Sequence, residues 1–140
     1  MKFISKEEFL QQPMEVQNKI RELWNPKQWD IFAFRNRKGC PHVIYEYDNG
    51  MILSTDSNGI WEELDDQIVP LLTMDEMIEM IENVTGMYIG IQVAYKDNRI
   101  DVHLYDNKTI EGYDFLKSKD RLHALWEVLI EIINEKLSKT

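Results

Sequence analysis

One cysteine, Cys40, among 140 residues leaves no partner for an internal disulfide and no thiol spacing for a metal. A reducing cytoplasm is the expected setting. Cys40 itself reads as a small residue in a Gly-Cys-Pro turn, because a nucleophilic thiol needs a base and no histidine is placed to serve as one. Long apolar runs are missing as well. Nothing approaches the roughly 18 to 20 residues needed to cross a bilayer, and the opening MKFISKEEFLQQ turns charged too soon for a signal peptide. No membrane association is expected. Repeats, low-complexity tracts and Pro/Gly/Ser linkers are also lacking, so residues 1–140 are expected to form one domain.

Catalytic signatures are missing too. There is no G-x-S-x-G, no S-x-x-K, no P-loop and no G-x-G-x-x-G. His42, His103 and His123 stand in no i, i+3 or i, i+4 relation, so no zinc pair is encoded locally. In Asp56-Ser57-Asn58-Gly59 the glycine comes two positions too early for a calcium loop, and the twelfth position lacks its glutamate. No catalytic residue, metal site or cofactor is expected. His103 alternates with Asp101 and Tyr105 along a strand, a face that is either a polar site or plain solvated surface.

The most informative absence concerns positive charge. Residues 39–95 contain no Lys or Arg, yet hold eleven carboxylates: Glu46, Asp48, Asp56, Glu62, Glu63, Asp65, Asp66, Asp75, Glu76, Glu79 and Glu82. The first 38 residues carry eight basic and five acidic groups, and residues 96–140 carry eight and nine. The net charge of −9 therefore belongs to the middle of the chain. A direct nucleic-acid binder should be basic, so binding to DNA or RNA is not expected. The loop with Arg35, Arg37 and Lys38 is read as a solvated hairpin tip.

What is present describes an α+β fold. An apolar share of 44% and four tryptophans suffice for a packed core. Ser5 with Glu8 predicts a capping box and a short helix from residue 6. Pro13 opens a second helix reaching Trp24, with Val16, Ile20, Leu23 and Trp24 on its apolar face. Residues 31–34, 43–47, 51–54 and 60–64 read as strands. Asn49-Gly50 and Asn58-Gly59 supply turns for a meander. Thr73 and Glu76 form a second capping box ahead of an acidic helix ended by Gly86. Residues 88–95 and 100–105 make a hairpin turned by Lys96-Asp97-Asn98-Arg99, and residues 109–115 a further short strand. The last helix, about residues 120–137, sets Leu122, Leu125, Trp126, Leu129, Ile133 and Leu137 on one stripe. The expected architecture is one antiparallel sheet of about five strands, meander plus hairpin. The long C-terminal helix, the central acidic helix and the N-terminal helices pack with it.

At Trp24-Asn25-Pro26, and again at Ile68-Val69-Pro70-Leu71-Leu72-Thr73-Met74-Asp75-Glu76-Met77, the chain resembles small uncharacterised proteins of phages and prophages in low-GC Gram-positive bacteria. Those proteins show a Trp-x-Pro near the start and a Pro-Leu-Leu-Thr entry into an acidic helix. Ala124-Leu125-Trp126 matches an Ala-Leu-Trp near their last helix. The likeness covers scattered pieces, and its motifs are structural. It implies no activity, only a setting in which small acidic proteins bind and disable a host protein.

On the acidic helix, Asp75, Glu76, Glu79 and Glu82 recur at three- and four-residue steps, one face repeating about every 5 Å. Upstream, Glu62, Glu63, Asp65 and Asp66 crowd five positions beside Trp61. Such a surface is either a solvated skin or a dock for a basic host protein, its carboxylates standing in for nucleic-acid phosphates. The expected function is a non-enzymatic phage-type inhibitor or accessory protein acting through these nine residues. Two alternatives stay open. One is an oligomeric module, a homodimer for example, using apolar surface that includes Trp29 and Trp61. The other is a small carboxylate-dependent enzyme.

Overall fold

The structure is a computed structural model that describes residues 2–38, 41–94, 99–115 and 120–139. The expected turns at Cys40 and at residues 96–98 lie outside them. The chain is α+β and divides into two compact units, one of residues 5–72 and one of residues 1–4 and 73–140.

In the first unit, helix α1 (Lys6–Leu10) starts as its sequence dictates. The Ser5 hydroxyl accepts from the Glu8 N–H at 3.1 Å, and the Ser5 N–H donates to the Glu8 carboxylate at 3.2 Å. Helix α2 (Met14–Leu23) has Pro13 at its N-cap, one residue later than the sequence suggests. The Gln17 amide joins the two by donating to the carbonyls of Leu10 and Gln12. Strands β1 (Ile31–Phe34), β2 (His42–Asp48), β3 (Met51–Ser54), β4 (Trp61–Glu63) and β5 (Ile68–Pro70) form one antiparallel sheet in the order β4-β3-β2-β1-β5. Asn49 and Gly50, at φ 47° and 78°, turn β2 into β3 as the Asn-Gly signal requires. A register shift between Ile44 and Glu46 bends β2.

Strand β5 is absent from the sequence reading. Three residues ending in proline carry no strand signal. Its existence rests on the edge of β1, where Phe32, Ala33 and Phe34 pair with Pro70, Val69 and Ile68. Phe9, Ile20, Phe32, Ile44, Ile52 and Ile68 are buried at 0–1% exposure in this unit, each stabilising by about 1.5–3 kcal/mol.

In the second unit, α3 (Met74–Thr85) runs between the Thr73–Glu76 capping box and Gly86, which takes the left-handed conformation at φ 69°. Strands β6 (Tyr88–Ala94), β7 (Arg99–Tyr105) and β8 (Ile110–Phe115) form a second antiparallel sheet, with β7 in the centre. The single sheet expected from sequence is thus two, because the hairpin takes its third strand from the segment that follows it. Ile100, Val102 and Leu104 alternate inward on β7. Helix α4 (Arg121–Ser138) packs on β7 and α3. Its buried set adds Ala124, Val128 and Ile132 to the expected stripe, as suits a helix covered on more than one side, while Leu137, in the last turn, is only half-buried.

Candidate partner-binding surface

Strand β4 and the turn after it carry half of the acidic residues marked by the sequence, Glu62 and Glu63 on the strand and Asp65 and Asp66 on the turn, and basic residues from the N-terminal third close upon them. Arg21, 7% exposed, donates through Nε to the Ile68 carbonyl at 2.8 Å and through a terminal nitrogen to the Asp66 carbonyl at 3.2 Å. Arg35 Nε donates to that same Asp66 carbonyl at 2.7 Å, and its other end reaches Gln17 Oε1 at 2.7 Å. Burial lowers the pKa of the Arg21 guanidinium, and the Arg35 charge adds to this. Asp66 and Asp65 oppose it. Both arginines therefore serve the turn through its backbone, leaving the Asp65 and Asp66 side chains at the exposed surface. The Asp65 carboxylate also accepts from the Gln67 N–H at 2.9 Å.

Arg37 treats β4 differently. Its guanidinium lies 3.5 Å from the Glu62 carboxylate and stacks over the Phe34 ring, 4.1 Å from the centroid. Its carbonyl accepts from Lys6 Nζ. The basic loop read as a solvated tip is thus tied down through Arg35 and Arg37, because a guanidinium offers several donors and a flat face at once. Glu63 stays exposed on β4, beside Trp61 at 38% exposure and Ile60 at 63%. A groove of about 390 Å³ runs past Asn18, Trp24, Tyr47, Leu64, Asp65 and Asp66.

On α3 the regular row of carboxylates is divided by local duties. Glu76 accepts from both the N–H and the hydroxyl of Thr73, at 3.1 and 3.0 Å. Glu82 accepts from the Ile89 N–H at 3.2 Å. Asp75 is exposed in the first turn, where the helix dipole favours a negative charge, and Glu79 is half-buried. Of the nine residues marked by the sequence, Trp61, Glu62, Glu63, Asp65 and Asp66 fall together on the first unit. The four α3 carboxylates belong to the second.

Three features were not legible beforehand. Trp29, 61% exposed, sits at φ 77°, a left-handed conformation uncommon for a bulky side chain. Its N–H donates to the Ile44 carbonyl, which fixes the turn. The His42 ring contacts Phe32 and Phe34, with Nδ1 2.8 Å from the Asp56 carboxylate. No sequence spacing announces a pair fourteen residues apart that a strand register creates. His103 shares its face with Asp101 and Tyr105 as expected, and cross-strand glycines flank it: Gly90 on β6 and Gly112 on β8.

Among the described residues, no group of three His, Cys, Asp or Glu side chains is arranged to hold a metal ion, and no helix is long and apolar enough to cross a membrane. Set against known families, curated proteins and solved structures, the chain matches no family model, no curated protein and no solved structure.

Proposed function

We propose that this chain is a non-enzymatic binding protein, of the phage inhibitor or accessory kind, that engages a basic protein partner. The observation that carries the reading is the composition of the β4 region. There an exposed tryptophan and isoleucine, Trp61 and Ile60, stand beside the exposed carboxylates of Glu63, Asp65 and Asp66, in a segment whose own sequence holds no cation and which Arg21, Arg35 and Arg37 reach from the N-terminal third. Aromatic side chains supply desolvated contact area, while surrounding carboxylates steer a cationic partner and set its orientation. Arg21 and Arg35 support this arrangement by holding the turn through its carbonyls. Glu62 is engaged within the chain by Arg37, so Glu63, Asp65 and Asp66 carry the charge of this surface.

Affinity capture from a Gram-positive host, followed by elution in rising salt, tests the reading. The Debye length shrinks from about 8 Å at 0.15 M to about 3 Å at 1 M, so a complex steered by charge releases within that range. The double substitution Glu63→Lys, Asp66→Lys is expected to abolish capture while leaving the melting curve intact. A complex indifferent to molar salt, or captured equally by the double variant, overturns the proposal.

A further inference from the structure

The four outermost strands of the two sheets are not defended alike. An unpaired edge invites another strand, and proteins deter this with charge, proline, bulges or shortness. Strand β4 has three residues, two of them Glu62 and Glu63, and β5 has three and ends in Pro70. Strand β8 carries Glu111 at an exposed position. Strand β6 has none of these devices. Its seven residues, Tyr-Ile-Gly-Ile-Gln-Val-Ala, hold no charge and no proline, and they pair with β7 in unbroken register.

The direction of its free amides follows from one contact. The Ile89 N–H donates to Glu82 Oε2, so it points away from β7. Antiparallel strands alternate, and Ile91 and Val93 therefore turn their N–H and C=O groups outward too. On the core side, Ile89, Ile91 and Val93 are only half-buried, whereas their partners Leu104, Val102 and Ile100 are buried.

We propose that β6 is a self-association edge, at which a second copy of this chain adds its own β6 antiparallel to form a six-stranded sheet across a two-fold axis. The neutrality of the strand favours this occupant over a cationic one: two copies at −9 meet no like-charged pair along β6 itself, whereas a cationic partner finds no counter-charge there. The strand also complements itself. With the axis at Ile91, Ile91 faces its own copy and Ile89 faces Val93, so β-branched side chains meet across the junction. Glu82 acts as a guard that holds the Ile89 amide until the partner strand displaces it.

Sedimentation across a concentration series tests this independently of the basic-partner reading, because salt acts oppositely. Added salt screens the repulsion between like-charged copies and strengthens the dimer, while it weakens a charge-steered complex. The expected mass rises from 16.7 kDa toward twice that value with concentration. Ile91→Pro removes an outward donor without touching the β6–β7 ladder and is expected to hold the chain at one mass. Gln92→Glu, at an exposed position, is expected to weaken association several-fold with the fold unchanged. Glu82→Ala is expected to shift association to several-fold lower concentration. A chain that keeps one mass at every concentration, with and without Glu82, overturns the proposal. So does protection of the Ile91 and Val93 amides that requires an added extended apolar peptide.

Discussion

At the scale of single residues, Arg21 shows how a charged group belongs inside a small unit. Its guanidinium meets two main-chain carbonyls, the Asn18 side chain at 2.6 Å and the Phe9 ring at 5.4 Å. Each contact replaces hydration lost on burial. Arg21→Met keeps the unbranched stem of the side chain but leaves the Ile68 carbonyl without this donor and the Asp66 carbonyl with Arg35 alone. The expected cost is about 3 kcal/mol, read from the urea midpoint at unchanged slope. A loss below about 1 kcal/mol would show that water serves the turn equally well. Trp29 is the opposite kind of residue, strained and exposed, its conformation held by the Ile44 carbonyl and by the turn that Asp30 closes on Lys27. Backbone strain of this sort costs on the order of 1–3 kcal/mol and persists only where the surroundings impose it.

At the scale of elements, the helix ends were readable because capping is local chemistry. Ser5 with Glu8, Thr73 with Glu76, and Gly86 each act within a few residues of themselves, so their sequence spacing fixes their geometry. Two substitutions separate the mechanisms on α3. Thr73→Ala removes the acceptor for the Glu76 N–H and is expected to cost about 1 kcal/mol. Gly86→Ala meets no atom within 4 Å, so its cost, also about 1 kcal/mol, comes from the left-handed backbone alone. Thermal melts check both, and Gly86→Asn should recover part of the second loss, since Asn tolerates that conformation. Strand β5 lay beyond such reading: its hydrogen bonds belong to β1, more than thirty residues earlier.

At the scale of the molecule, the carboxylates govern the response to acid. Backbone N–H groups of Lys108 and Thr109 hold Asp106 below the ordinary aspartate range. Burial pushes Asp56 and Asp120 upward, but the Ser54 hydroxyl and His42 outweigh it for Asp56, and His123 outweighs it for Asp120. A carboxyl depressed in the fold binds its proton first in the unfolded chain. Its stabilisation is therefore complete above the unfolded value of about 3.9 and is lost as pH falls through the lower folded value. Melting temperature is expected to hold from neutrality to about pH 5 and to fall below about pH 4. Asp120→Asn retains an N-cap acceptor for the His123 N–H but cannot titrate, so its acid loss should be smaller. Equal losses in the two proteins would remove Asp120 from this account.

By itself the sequence determined much of what acts over one or two turns of chain: the helices and their caps, the Asn-Gly turns, the alternation of β7, and a middle stretch without cations. Only the tertiary structure decided which distant groups meet. It gave β5 its partner, set the meander and the hairpin in separate sheets, brought Arg21, Arg35 and Arg37 onto the acidic turn, and drew Glu82 to the edge of β6. The physical reason is range. Capping and turn preferences are set by neighbours along the backbone, whereas strand pairing and long-side-chain hydrogen bonds are satisfied by whichever group the folded chain brings within about 3 Å.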